Sequence, residues 1–202
     1  ILAAGKGTRL GELTSNNPKC LVKLNGIPLL EYQLKIFEEC GIDEIIVVAG
    51  YKNNKLKYLS KKIVLNPKFN STNMLYSLYC ALDKINGDVL ISYGDSVFDK
   101  SIVKKMINSK EDISVASDLR WKEYWSSRYI DPLSDLESFQ VNEKGYIKLL
   151  GEKASSYDQI QGQYIGFIRL NSEGAQIFRR ELKYFFTKKI INQKLFKDAY
   201  LT

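Results

Sequence analysis

Gly5, Lys6, Gly7 and Arg9 stand together in the run Leu2-Ala3-Ala4-Gly5-Lys6-Gly7-Thr8-Arg9-Leu10, a combination suited to an anion. Glycines let backbone amides converge on phosphoryl oxygens, while a lysine and an arginine add charge-assisted hydrogen bonds. The dinucleotide-binding fingerprint would need glycine where Leu10 stands, and the Walker pattern, a glycine ahead of Gly-Lys-Ser/Thr, is absent. On its own the run reads first as an ordinary glycine turn. A further cation, Lys19, follows Pro18 in a segment too polar to be core. Later, the apolar run Val89-Leu90-Ile91-Ser92-Tyr93 ends in Gly94-Asp95 and sets a carboxylate at a strand end. Mg2+ could be held there, since it takes one or two carboxylates plus phosphate oxygens and water; a turn or cap aspartate is the competing reading. The chain has no histidine, which excludes serine-histidine and cysteine-histidine catalysis and any imidazole-bound zinc.

The elements that must position these groups are legible as alternating apolar runs and helical patterns. Residues 45–49, 62–65, 88–93 and 113–116 read as buried strands. Leu30, Leu34 and Phe37 recur at i, i+4 and i+7, Leu75, Leu78 and Leu82 at i, i+3 and i+7, and Gly41 ends the first of these helices. Such alternation predicts a Rossmann-like, doubly wound α/β fold with a mainly parallel sheet, whose ligands lie beyond the strand carboxyl ends. Ile1-Leu2 is expected to be too short for a stable first strand. Residues 121–132, with Trp121, Tyr124, Trp125, Tyr129 and Pro132, lack a clean period and read as a functional loop or lid. Residues 139–141 and 146–150 are expected to form an antiparallel hairpin across Asn142-Glu143-Lys144-Gly145. Residues 163–170 give a further strand, and residues 172–186 an amphipathic helix capped by Ser172. The organisation expected is one domain, with a nucleotide-binding half at 1–118 and a substrate-binding half at 119–202.

The opening run, Thr14, Pro18-Lys19-Cys20-Leu21-Val22 and Asn25-Gly26-Ile27-Pro28-Leu29-Leu30-Glu31-Tyr32-Gln33 together resemble the start of the nucleotidyltransferases that make sugar nucleotides and CDP-alcohols. That resemblance implies nucleotide binding by Leu2, Ala3, Ala4, Gly5, Lys6 and Gly7, with Arg9 on the leaving pyrophosphate. It implies that Lys19 bridges the α-phosphate and the incoming phosphate, and that Asp95 holds Mg2+ with a second carboxylate from late in the chain, for which Asp198 is the candidate. Tyr51, Asn66, Asn73 and Ser77 match positions that contact base or ribose in relatives; turn and helix-cap roles are the alternatives.

Within the family the chain is most similar to cytidylyltransferases acting on phosphocholine, 2-aminoethylphosphonate and related capsule-pathway substrates. The implied reaction transfers CMP from CTP to a small phosphate or phosphonate. Hexose-1-phosphate uridylyl or thymidylyl transfer and a non-catalytic nucleotide-binding domain are the alternatives. Asp118, Trp121, Arg128, Tyr129, Asp135 and Glu137 are the candidate acceptor residues: aromatics and carboxylates suit an ammonium group, and Arg128 suits a phosphonate or carboxylate.

Composition agrees with a small-molecule enzyme. The 202 residues are 45% hydrophobic and 12% aromatic, enough for one buried domain. The formal charge of +7 is scattered in short basic pairs and forms no stripe interleaved with aromatics, so small anions are favoured over nucleic acid. No apolar run is long enough to span a membrane and no signal peptide is visible, which points to the cytoplasm. Cys20, Cys40 and Cys80 are odd in number and far apart, as reduced thiols are. A homodimer remains compatible with all of this.

Overall fold

Strands form where the apolar runs were read, and their side chains alternate between two helical layers. The computed structural model describes residues 1–60 and 62–189. Its strands are β1 (Leu2–Ala3), β2 (Lys23–Leu24), β3 (Ile27–Pro28), β4 (Val47–Ala49), β5 (Ile63–Leu65), β6 (Val89–Ser92), β7 (Ile113–Asp118), β8 (Glu137–Val141), β9 (Ile147–Lys153) and β10 (Gln163–Leu170). The helices are α1 (Leu29–Glu39), α2 (Met74–Cys80), α3 (Lys100–Ile107), α4 (Trp121–Arg128) and α5 (Ser172–Lys189). Contacts divide the chain into two units: Ile1–Ser114 with the residues from Ile168 onward, and Val115–Phe167.

In the first unit, β1 and β5 flank β4, both parallel to it. A parallel bridge from Leu2 to Tyr93, and the Gly94 amide donating to Leu2 O at 2.8 Å, bring β6 alongside β1. The strand order β6-β10-β7 continues from there, the division between the units falling within β7 and β10. β1 is present as a paired strand, contrary to the expectation for Ile1-Leu2, because β4 lies beside it: the Val48 amide donates to Ile1 O at 2.8 Å.

Successive residues of β1 and β4 enter opposite cores, as strand geometry requires. Leu2 and Val48 pack with Leu78 of α2 and Leu182 and Phe186 of α5. Ala3, Val47 and Ala49 pack on the other side with Leu30 and Cys20. Leu30 is fully buried, worth roughly 1.5–3 kcal/mol relative to leaving it in water. The α1 helix stops where expected: the Gly41 amide donates to Glu38 O and the Ile42 amide to Phe37 O, the paired bonds of a Schellman ending. At α5 the cap is Asn171, not Ser172, since Asn171 Oδ1 accepts from the Gly174 amide at 2.8 Å.

The second unit is built on the predicted hairpin, β8 antiparallel to β9. Its tight end is closed by the Asn142 amide on Tyr146 O and the Gly145 amide on Asn142 O, both at 2.9 Å. The stretch expected to be an irregular lid is instead the helix α4, followed by a short turn of 3-10 helix at Pro132–Ser134. Trp121 is its one buried residue and packs with Leu136, Ala154 and Ile160. A helix anchored by a single side chain carries little periodicity, which is why the sequence pattern concealed it.

Candidate active site

Because β1, β4 and β6 run parallel, their carboxyl ends open on one edge of the sheet, and the loops after them carry the polar residues singled out above. Ala3 and Ala4 are buried, while Gly5, Lys6 and Arg9 are exposed. The Ala4 carbonyl accepts from the Tyr51 amide at 3.0 Å, fixing the start of the first loop to the end of β4. Thr14, only 1% exposed, donates its hydroxyl to Gly7 O at 2.9 Å and so pins the far side of the loop. Sequence shows only a threonine seven residues after the loop glycine; its burial and its bond to Gly7 O emerge from the fold.

Gly7 matters for closeness as well as conformation. Its φ of 73° lies in the left-handed region, and a Cβ there would fall 2.7 Å from Lys19 Cβ. The absence of a side chain lets the Lys19 stem lie flat against the loop. Lys19 opens a single 3-10 turn after Pro18, whose carbonyl accepts from the Leu21 amide at 2.9 Å. Its ammonium forms an ion pair with Asp95 Oδ2. Gly94, beside that aspartate, sits where a Cβ would meet Ala3 Cβ at 2.9 Å and Leu2 O at 3.0 Å. Both glycines therefore serve to pack the loops after β1 and β6 tightly enough for Lys19 and Asp95 to touch.

The side chains of Lys19 and Asp95 are 35% and 30% exposed. A pair this open to water contributes about 0–1 kcal/mol to stability, so holding the fold together is a poor explanation for it. Behind it, Cys20 is 2% exposed and its thiol is pushed up to about 12, chiefly by burial. That thiol is a packing group. Among the described residues no three histidine, cysteine, aspartate or glutamate side chains converge on one point. Asp198 lies outside the described residues.

Tyr51 adds cationic surroundings to this edge, with Lys6 Nζ 5.6 Å and Lys52 Nζ 5.8 Å from its ring centre. Asn66, Asn73 and Ser77 form one hydrogen-bonded group. Asn66 Nδ2 donates to Ser77 Oγ at 3.0 Å, and Asn73 Oδ1 caps α2 by accepting from the Leu75 amide at 3.0 Å. Asn66 and Ser77 are 1% and 3% exposed, so their side chains shape the turn after β5.

The second unit gathers part of the candidate acceptor set. Trp125 Nε1 donates to Asp135 Oδ2 at 3.2 Å, and Arg128 lies over the rings of Tyr124 and Tyr129 at 5.0 and 5.4 Å. Trp121 is 6% exposed and stacked on Tyr157, and Asp118 accepts from the Arg120 amide at 2.8 Å. Those two spend their contacts on the unit's own structure. Burial, and secondly the nearby Asp135, raise the Glu137 carboxyl above its ordinary value. A raised acid stabilises the fold below its unfolded pKa and loses that contribution as pH rises through the folded one. Glu137→Gln should therefore gain melting temperature over the parent at pH 7 but not at pH 4; an equal difference at both would show that Glu137 ionisation is not coupled to folding.

The description MobA-like NTP transferase domain matches residues 1–152. The Campylobacter jejuni CTP:phosphoglutamine cytidylyltransferase is 36% identical over the whole of this chain and 84% of its own length. The Streptococcus pneumoniae choline-phosphate cytidylyltransferase is 40% identical over 48% of this chain and 44% of its own. A solved structure of CTP:phosphocholine cytidylyltransferase from Streptococcus pneumoniae superposes with a TM-score of 0.64 at 25% identity, covering 94% of this chain and 77% of that one. With three quarters of its length matched by the family description, and the loops above arranged along one sheet edge, the chain belongs to the MobA-like NTP transferases and is a nucleotidyltransferase.

Proposed function

We propose that this enzyme transfers CMP from CTP to the phosphate or phosphonate oxygen of a small acceptor and releases pyrophosphate. The observation that carries this reading is the Lys19–Asp95 pair held against the Gly7 loop at the carboxyl ends of β1 and β6. Cytosine is chosen over other bases on the names of the relatives, two of which are CTP-dependent enzymes with small phosphorylated acceptors.

In this reaction an acceptor oxygen forms a bond to the α-phosphorus as the bond to the bridging oxygen of pyrophosphate breaks. The acceptor oxygen is already anionic, so no general base is needed, in keeping with a chain that lacks histidine. Backbone amides of residues 3–7 cradle the triphosphate, Arg9 meets the leaving pyrophosphate, and Lys19 lies between the α-phosphate and the acceptor phosphate. Catalysis is then positioning and charge stabilisation.

Asp95 fits Mg2+: it is a hard oxygen donor, partly open to solvent, whose field already attracts a cation in the form of Lys19. Bound there, the metal would neutralise charge on the phosphate oxygens. Asp198 is retained as the candidate second ligand. In the second unit, Asp135 and Glu137 are the groups for an ammonium on the acceptor, such as those of phosphocholine, 2-aminoethylphosphonate or phosphoglutamine.

The test is pyrophosphate release with each of four nucleoside triphosphates, Mg2+ and a panel of these acceptors plus hexose 1-phosphates. Turnover with CTP and an amine-bearing acceptor is expected. Turnover only with UTP or dTTP and a hexose 1-phosphate would replace this reading with the sugar-nucleotide one, and no turnover with any pair would favour a binding domain.

A further inference from the structure

Gln33 is a polar residue on the buried face of α1, between Leu30 and Phe37, and it is 0% exposed. An amide there is tolerated only if every hydrogen-bonding group on it is used. Its Nε2 donates to Tyr93 O at 2.7 Å and to Ser96 O at 2.6 Å, and its Oε1 accepts from Ser92 Oγ at 2.8 Å. The two acceptor carbonyls bracket Gly94-Asp95. One planar group thus spans the turn that carries the carboxylate, gripping it from the helix side while the Gly94 amide, bonded to Leu2 O, holds it from β1.

A buried apolar residue would fill the same volume but forfeit the bonds that link Gln33 to Ser92 Oγ, Tyr93 O and Ser96 O, so packing alone does not account for an amide. The turn does account for it: Tyr93 O, which also accepts from the Ser96 amide at 3.2 Å, and Ser96 O are gripped by one Nε2, so the amide ties both ends of the turn to α1. We propose that Gln33 is a positioning residue for the nucleotidyl transfer, fixing the turn 93–96 so that the Asp95 carboxylate is presented at the sheet edge with a set direction. The inference rests on the reading of Asp95 as the metal carboxylate. Groups that orient a ligand without touching the metal commonly govern affinity about 10- to 100-fold.

Gln33→Met keeps the length and volume of the side chain and removes all three hydrogen bonds. Mn2+ binding by the full chain, followed by electron paramagnetic resonance with a non-hydrolysable CTP analogue present, supplies a readout independent of turnover. The half-saturating Mn2+ concentration should rise about tenfold or more in Gln33→Met, and turnover should fall with it. Leu182→Ala, a buried change in α5 away from the loop, is the control for general destabilisation: its melting temperature should drop while its Mn2+ constant stays within about twofold. If Gln33→Met does not fold, Gln33→Asn, which draws the amide back by one methylene, should shift the constant in the same direction. A Gln33 variant with the parent Mn2+ constant, or a Leu182→Ala shift as large as that of Gln33→Met, would reduce Gln33 to a structural residue. Asp95→Asn separates the two levels: if it binds Mn2+ as the parent does, the metal reading itself fails; if it loses Mn2+ while Gln33→Met does not, only the positioning role is lost.

Discussion

Lys19→Ala should lower turnover by about 100-fold or more, the cost of removing one charge contact already arranged for the transition state. Two features of the structure set this expectation. The Lys19 stem is fitted against Gly7, so its ammonium reaches the sheet edge along a path the loop has been shaped to leave. That ammonium is also paired with Asp95, which places it at the meeting point of the loops after β1 and β6 before any substrate arrives. Lys6 and Arg9 remain in the variant, so ground-state attraction for the triphosphate persists. The loss should appear mainly in kcat, with a smaller change in KM for CTP. Steady-state pyrophosphate release reads both, and unchanged kcat would remove Lys19 from the mechanism.

Asp95→Asn is expected to abolish metal-dependent activity, by at least about 100-fold, while leaving the fold intact. The two side chains have nearly the same shape, so packing at the turn is conserved and the difference is charge. With both partners about one third exposed, losing the ion pair should cost no more than about 1 kcal/mol of stability. A melting temperature within a few degrees of the parent, together with lost activity, is the expected pairing. Normal turnover with normal dependence on added Mg2+ would show that the metal is carried elsewhere.

Much of this site was legible in sequence because its parts obey local rules. Strands β4, β5, β6 and β7 fall within two residues of the apolar runs, and β10 coincides with the run at 163–170. The glycine loop and Gly94-Asp95 stand at the ends of β1 and β6 as expected. What escaped was of two kinds. Helix α4 buries only Trp121, and its polar remainder, Lys122, Glu123, Ser126, Ser127 and Arg128, left no stripe to detect. The contacts that assemble the site join residues far apart in the chain: Lys19 with Asp95, and Gln33 with the turn 93–96. Periodicity could place Gln33 on the apolar face of α1, where a polar residue is out of pattern, but it could not say which carbonyls the amide would meet. Likewise Asn66 and Ser77 could be seen as polar residues near α2, yet their mutual hydrogen bond depends on the turn after β5.

In the proposed reaction a triphosphate lies along residues 3–9, its charge met by Arg9, Lys19 and a metal on Asp95. A crystal of the full chain soaked with CTP and Mn2+ tests this most directly, since anomalous scattering locates the metal independently of the nucleotide. Triphosphate density is expected on the amides of the Gly5-Lys6-Gly7 loop, with an anomalous peak at the Asp95 carboxylate and the Lys19 ammonium moved from Asp95 toward the α-phosphate. Nucleotide bound away from that loop, or an anomalous peak remote from Asp95 with the Lys19–Asp95 pair intact, would contradict it.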